Sequence, residues 1–265
     1  MDKSRRNFIR LASLSALGMG AAPALARAET ASAVYTETTE AADMYGPNAN
    51  ALEGTHWGMV IDTTKLTTPE DIAPIVEACH SIHNVPDIGN DQEIKWIWSA
   101  TFHESFTEKH NHYLAEEIHE RPFLLLCNHC EHPPCCRVCP TQATFKRESD
   151  GVVLMDFHRC IGCRFCMAAC PYGARSFNFG DPRPYISQIN HEFPTRTRGV
   201  VEKCNFCAER LAKGEEPACV EASNGAIIFG DLDDPHSEVR EVLKEHFTIR
   251  RKPTLGTQPS VYYII

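Results

Sequence analysis

The sequence lacks the patterns that mark most enzymes and nucleic-acid-binding proteins. Its 265 residues contain no Ser/His/Asp arrangement, no glycine loop of the kind that cradles phosphate, and no carboxylate pair placed for acid–base catalysis. Lys and Arg number 26 against 35 Asp and Glu, for a formal charge of −9, so a basic surface for nucleic acid or an anionic membrane is missing as well. The charge favours a soluble partner, and 43% apolar content suffices for one or two compact domains.

Long apolar runs are also scarce. No segment after residue 28 reaches about 18 consecutive apolar residues, so the mature chain is predicted to have no membrane span. Near the start, basic residues precede a mostly apolar run at 11–26, which ends in small-residue cleavage options. A transmembrane anchor is the alternative. However, this 16-residue run is interrupted by Pro23 and is shorter than the roughly 20 residues that a span requires.

The segment Ser4–Arg10 resembles a twin-arginine export signal, the address of proteins that cross the membrane already folded. We therefore expect residues 1–28 to be a signal peptide and 29–56 a linker. Cutting after Ala28 removes five basic residues and one acidic residue, which takes the formal charge from −9 to −13. The expected location is periplasmic, with membrane association through partner subunits.

Cysteine is the residue type in excess. Thirteen cysteines is an odd number, and they crowd into runs too dense for a simple disulfide framework. No C-x-x-C-H is present, which excludes covalent c-type haem. The runs instead have the spacing of metal ligands.

Two of these runs predict a pair of [4Fe–4S] clusters. The run at 160–171 reads C-x2-C-x2-C-x3-C-P, the bacterial ferredoxin pattern in which three thiolates bind one cubane and the fourth reaches a second cluster. The run at 127–140 has the same layout with a longer loop before its third cysteine. Exchanging the fourth ligands gives site A, with Cys127, Cys130, Cys135 and Cys170, and site B, with Cys160, Cys163, Cys166 and Cys139.

A third run predicts one more cluster. It reads Cys204-x2-Cys207-x11-Cys219, and Ser223 stands where a fourth cysteine is expected. Upstream of residue 127 the chain has only Cys79, so the simplest closure is site C, with Cys204, Cys207, Cys219 and Cys79. Cys136 is left over and is read as a small buried thiol, although a run using 136 in place of 135 also folds into short loops.

Structural zinc and histidine ligation are the alternatives. Zinc sites also use paired C-x2-C motifs, but they do not require the compressed ferredoxin run. Thirteen histidines include four in one acidic stretch, His103, His110, His112 and His119, whose spacing matches no ligand motif. His129 and His132 differ because they flank predicted cluster thiolates and could tune potential through hydrogen bonds.

The chain from about Gly58 onward resembles the four-cluster ferredoxin subunits that accompany complex iron–sulfur molybdoenzymes, hydrogenases and membrane quinone-reactive subunits. The matching stretches are 59–62, 127–130, 160–166 and 203–207. Relative to that family, residues 51–78 contain no cysteine and Ser223 replaces the fourth ligand of the same site. The resemblance thus implies that one cluster has been deleted whole, leaving three.

The predicted fold class is α+β, with two nested bacterial-ferredoxin-like modules and irregular cluster-binding loops. The outer module is expected to comprise 57–90 plus 185–265, and the inserted module 91–184. Local patterns predict strands at 151–156 and 93–102 and a helix at 238–246 capped by Ser237. From Asp181 the chain is rich in proline and charge, which indicates a connection rather than core.

Cubanes with four cysteine ligands have no open iron for a substrate and exchange single electrons, so a non-catalytic relay is expected. The resemblance implies docking on an integral membrane quinone-reactive subunit. A more specific match, carried by 93–98 and 175–184, adds an exported multihaem cytochrome c as redox partner. The alternatives are a subunit of another exported reductase or hydrogenase, or a cluster-based redox sensor, for which no output module is visible.

Overall fold

The computed structural model describes residues 47–109 and 111–265. The predicted signal peptide at 1–28 lies outside these residues, as do most of the predicted linker and His110. Residues 49–265 form one compact unit. Within the described residues, no helix is both long and apolar enough to cross a membrane.

The largest sheet joins the first and last segments of the described chain. It has four strands in the order β8-β1-β10-β9, where β1 is Trp57–Asp62, β8 is Ile227–Asp231, β9 is Thr248–Ile249 and β10 is Val261–Ile264. Strand β1 runs parallel to β10 and antiparallel to β8, so that Met59 pairs with both Val261 and Phe229. All six residues of β1 are buried, as expected of a central strand covered on both faces.

Three two-stranded antiparallel ladders make up the remaining sheet structure of the described chain. They pair β2 (Ile97–Ala100) with β3 (Phe123–Leu126), β4 (Thr144–Lys146) with β5 (Val153–Met155), and β6 (Ser176–Phe177) with β7 (Val201–Glu202). The last ladder joins the two segments on either side of the predicted module boundary at 184/185. The nested arrangement of modules stays a prediction.

The helices of the described chain are mostly short, and five of the eight contain or directly follow a cysteine. They are α1 Pro69–Ile82, α2 Phe102–Ser105, α3 Glu116–Glu120, α4 Pro134–Arg137, α5 Phe165–Ala169, α6 Ala208–Leu211, α7 Ala218–Glu221 and α8 Glu238–Glu245, with 3₁₀ turns at Arg183–Tyr185 and Pro253–Leu255. The longest, α1, begins with a reciprocal capping box between Thr68 and Asp71. Its buried residues, Ile72, Ile75 and Cys79, share one face, which brings a thiol into the core.

All three secondary-structure elements predicted from local patterns are present, but both strands are shorter than expected. The strand expected at 151–156 is present over Val153–Met155, whereas the one at 93–102 is shortened to Ile97–Ala100 because a capping box at Thr101 starts α2. The helix at 238–246 is present and ends at Glu245. Ser237 occupies the N-cap position, as predicted, but its hydroxyl makes no cap hydrogen bond and donates to the carbonyl oxygens of Asp231 and Asp234 at 2.6 and 2.9 Å.

The stretch after Asp181 is irregular, as predicted, but part of it belongs to the core. Arg196 is 2% exposed and its guanidinium Nε lies 2.6 Å from a Glu202 carboxylate oxygen. Arg196 also donates to the backbone carbonyl oxygens of His83 and Asn84. A charged residue therefore ties this segment to the end of α1, which a composition argument could not detect.

Candidate metal centre

All thirteen cysteines are free thiols, and eight of them are buried. Cys136, Cys139, Cys160, Cys163 and Cys170 are partly exposed. A disulfide framework is therefore absent from the described chain, which contains every cysteine in the sequence.

The four thiols of site A surround one cavity. Cys127 follows β3 directly, Cys135 lies in α4, and Cys170 is the residue at which α5 ends. The cavity they line with Cys130 has a largely apolar wall, formed by Pro133, Pro134, Val153, Pro171, Tyr172 and Ala174 together with Asn128 and Arg175. Burial, reinforced by the Cys127 thiol, raises the pKa of Cys130 to about 12. Thiols that resist ionisation in the absence of metal are stabilised as thiolates by a bound cation, so this donor set fits a cubane.

Site C is assembled from distant parts of the chain. Cys79 lies in α1 and Cys219 in α7, and these two helices pack together. Burial raises the pKa of Cys79 far above its usual value, and the thiols of Cys204, Cys207 and Cys219 raise it further. All four predicted ligands are buried in one hydrophobic cluster or beside it, and their binding of a single cluster stays a prediction.

A histidine that the sequence reasoning missed lies against site C. His83 Nδ1 lies 2.7 Å from the carbonyl oxygen of Cys79 and 3.5 Å from its Sγ, while Nε2 lies 2.8 Å from a Glu209 carboxylate oxygen. The ligand atoms of His83, Cys207 and Glu209 lie within 4.8 Å of one another. The signal was the spacing of Cys79 and His83, one helical turn apart.

The site B thiols lie around the contact between α4 and α5. Cys166 is buried in α5, Cys160 and Cys163 precede that helix, and Cys139 follows α4 by two residues. Burial raises the pKa of Cys166, and the thiols of Cys135 and Cys160 add to the rise. Burial also acts to raise the pKa of Cys139, but hydrogen bonds from Thr144 and Thr141 bring it below its usual value. Three of the four thiols are partly exposed, so site B is the most accessible site.

Neighbouring Cys135 and Cys136 differ in burial, since Cys135 is buried and Cys136 is partly exposed. The interaction with the Cys136 thiol lowers the pKa of Cys135, while the pKa of Cys136 rises. Cys136 Sγ also lies 3.9 Å from Thr144 Oγ1. Because Cys135 lines the site A cavity, this arrangement favours Cys135 as the ligand and Cys136 as the thiol that supports it.

Thiols of site A share a buried cluster with a thiol of each other site, Cys135 with Cys166 and Cys127 with Cys204. The Cys135 thiol of site A raises the pKa of Cys166 in site B, although burial is the larger cause. Likewise, burial and then the Cys127 thiol of site A raise the pKa of Cys204 in site C. Site A is therefore the neighbour of both other sites.

The two histidines flanking site A thiols lie in different environments. His129 is 1% exposed, stacks on Phe206 with ring centroids 3.6 Å apart, and accepts a hydrogen bond at Nδ1 from the Val153 amide. Burial, together with the charges of Lys203 and Arg175, holds its pKa well below the usual value, so its ring is neutral. His132 is exposed.

Ser223 uses its hydroxyl inside its own turn. The hydroxyl donates to the Val220 carbonyl oxygen at 2.7 Å and accepts from the Ile227 amide at 3.0 Å. The segment where the family has its first cysteine run contributes Leu66, Ile72 and Ile75 to the hydrophobic core. These contacts give Ser223 a structural role that needs no metal.

The acidic histidine stretch forms no metal-binding group within the part of the chain that the structure describes. His103 and His119 line a small cavity with Phe102 and Phe106. Among the described residues, His83, Cys207 and Glu209 form the only group of three such ligand atoms that lie within 4.8 Å of one another.

Comparison with known proteins matches this cysteine arrangement. A family model described as a 4Fe-4S dicluster domain matches residues 122–181, the stretch that contains every cysteine of sites A and B. The chain is 39% identical over 284 residues to Hdr-like menaquinol oxidoreductase iron-sulfur subunit 1 of Archaeoglobus fulgidus, covering 98% of this chain and 97% of that protein. It is 37% identical over 236 residues to the menaquinone reductase iron-sulfur cluster-binding subunit of Nitratidesulfovibrio vulgaris, covering 78% and 88%. A tetrathionate reductase subunit of Salmonella typhimurium is 47% identical over 142 residues, about half of each chain.

Proposed function

Since this chain belongs to the family of iron–sulfur subunits that includes Hdr-like menaquinol oxidoreductase iron-sulfur subunit 1, we propose that it relays single electrons through three [4Fe–4S] clusters. It is a non-catalytic subunit of a larger oxidoreductase complex. The proposed cofactor-binding residues are the twelve cysteines of sites A, B and C.

The observation that carries this proposal is the cavity that the four site A thiols line together. When bound, a cubane with four thiolate ligands supplies one-electron chemistry and leaves no iron open to a substrate. The protein's own contribution is to hold the thiols in place and to exclude water with apolar walls at site A. We propose the order B, A, C for the three sites, which suits transfer between two partners.

The two ends of the series have different surroundings. Site B is partly exposed, so it is the proposed point of exchange with a partner. Site C is buried behind α1 and α7, with His83 and Glu209 beside it. Burial works to raise the pKa of Glu209, but its hydrogen bond and charge interaction with His83 lower that pKa below its usual value.

We also propose the partners and location. A membrane quinone-reactive subunit is the first partner, which is supported by the menaquinol and menaquinone complexes named for two relatives. A multihaem cytochrome c as second partner, a periplasmic location and a role in sulfur metabolism rest on the twin-arginine-like segment and on resemblance to DsrO, the periplasmic iron–sulfur subunit of the DsrMKJOP complex. The segments 93–98 and 175–184 carry that resemblance.

A second candidate is an electron-transfer subunit of another exported reductase. The similarity to the tetrathionate reductase subunit favours it, although that match covers about half of each chain. The two candidates differ in their partner and share the three-cluster relay.

Purification from native membranes tests the proposal. We expect the chain to co-purify with a quinone-reactive membrane subunit, to contain twelve iron atoms, and to be reduced by quinol in stopped-flow mixing without losing iron. A partner-free monomer in the soluble fraction would contradict the partnership. Cluster loss on each reduction, in place of repeated turnover, would indicate a sensor.

A further inference from the structure

Arg175 is a buried cation without a carboxylate partner. Its side chain is 5% exposed and lines the site A cavity. One guanidinium nitrogen donates to Thr144 Oγ1 at 2.8 Å, and another lies 3.8 Å from Met155 Sδ. Within the described residues, no Asp or Glu oxygen lies within ion-pair distance of it. Neutral hydrogen-bond partners alone do not compensate a charge held in a medium of low dielectric constant.

The anions available to Arg175 are cysteine thiolates from two sites. Arg175 lines the site A cavity together with Cys127, Cys135 and Cys170. Met155, which its guanidinium contacts, packs against the buried cluster that contains Cys166 of site B. Arg196 provides the contrast, because it is equally buried but has its own carboxylate, Glu202, at 2.6 Å. Arg175 is thus placed to balance the charge of two metal sites.

Lys203 is a second buried cation, and it directly precedes Cys204 of site C. It is 1% exposed, and its ammonium donates to the backbone carbonyl oxygens of Val153 and Cys204, the latter at 2.6 Å. Val153 lines the site A cavity, and Cys204 is a proposed ligand of site C. The charge of Lys203 therefore acts on sites A and C.

We propose that Arg175 and Lys203 are the counter-charges of the relay, Arg175 shared between sites A and B and Lys203 between sites A and C. This inference rests on the proposed function, since it requires clusters in the sites. A cubane with four thiolates gains one electron on reduction and becomes more negative by one charge. A fixed buried cation stabilises that reduced form more than the oxidised form and so raises the reduction potential. Because each cation serves two neighbours, it also lessens the repulsion between two reduced clusters.

Redox titration followed by electron paramagnetic resonance tests this. In Arg175→Gln we expect the equilibrium constants for reduction of sites A and B to fall at least tenfold, which is about 59 mV for a one-electron couple. The site C signal, identified by its loss in Cys79→Ala, should stay unchanged. In Lys203→Met sites A and C should shift while site B should not. Arg175→Lys, which keeps the charge, should restore most of the potential, and Arg183→Gln, which removes an exposed cation, should shift no site.

Two substitutions of Met155 test the inference if the Arg175→Gln variant does not assemble its clusters. Met155→Glu places a carboxylate beside the guanidinium and should lower the potentials of sites A and B, whereas Met155→Gln, which is neutral and of similar size, should not. Equal potentials in this pair, or in assembled Arg175→Gln and wild type, would overturn the inference while leaving the relay intact. Absence of twelve irons from the wild-type chain would instead reject the proposed function.

Discussion

Cys79 and Ser223 provide a test at the scale of single atoms. Changing Cys79 to alanine removes one thiolate from site C and should cost one cluster, seen as about four fewer iron atoms per chain. Changing Ser223 to alanine removes two local hydrogen bonds and should lower stability by about 1 kcal/mol per bond, yet leave the iron content at the wild-type value. Serine lacks the soft, readily ionised sulfur that clusters select.

Iron analysis and spectroscopy of both variants give the answer. Sixteen irons in the wild-type chain, or a lost redox signal in Ser223→Ala, would mean that a fourth site exists with unconventional ligands.

The Cys135 and Cys136 pair gives a second prediction at this scale. Cys135→Ala should abolish the site A signal, because Cys135 lines the site A cavity. Cys136→Ala should keep all three clusters and change the site A signal only slightly, because a hydrogen bond to a ligand sulfur tunes a cluster without binding it. Loss of site A in Cys136→Ala, with Cys135→Ala intact, would reverse the assignment.

At the residue scale the sequence was informative about thiols and much less so about their neighbours. Cluster spacing is a chemical requirement written directly into the chain, so the ligand sets could be predicted from it. His83, Arg175 and Lys203 could not, because their roles depend on burial and on partners far away in sequence, such as Glu209 for His83. Only the folded chain reveals which charged or polar residues are buried away from solvent.

Among the elements, the loops on either side of α5 offer a matched pair of glycines, Gly162 before the helix and Gly173 after it. Gly162 has φ +68°, and an added Cβ would overlap the Gly199 carbonyl oxygen and lie 3.1 Å from Phe177. Gly173 has φ +66° and no atom within 4 Å of an added Cβ. Both substitutions by alanine carry the cost of a left-handed backbone, about 1 kcal/mol, but only the first also meets a neighbouring backbone.

We therefore expect Gly162→Ala to damage site B selectively, by moving Cys160 and Cys163, while Gly173→Ala keeps all three redox signals. Electron paramagnetic resonance of the two purified variants compares them directly. Equal damage in both would show that the left-handed backbone conformation, and not the contact with Gly199, accounts for the effect of the substitution.

Element prediction succeeded where a local rule decides the outcome. The short strand before site B and the helix at 238–245 follow from alternation and amphipathic pattern. Helix α1 was not predicted, although Thr68, Pro69 and Asp71 form a start signal that is readable in the sequence. The parallel pairing of β1 with β10 had no local signal at all.

For the whole molecule, export is the property that the first residues predict. Replacing Arg5 and Arg6 by lysine should leave unprocessed, cluster-loaded protein in the cytoplasm, because the twin-arginine signal is read by a receptor that admits folded cargo. Immunoblotting of cell fractions, with iron content measured on the retained protein, provides the measurement. Normal periplasmic accumulation of this double variant would remove the basis for folded export.

The β1–β10 pairing has a consequence for the order of events during translation. Met59 pairs with Val261, so the four-stranded sheet cannot form until about 200 further residues have left the ribosome. The ligands of sites A and B all lie between residues 127 and 170, whereas site C needs both Cys79 and Cys219. Ribosome-stalled chains with residues up to about 200 emerged should therefore accept iron at the first two sites alone, making cofactor delivery stepwise while the chain is still being made.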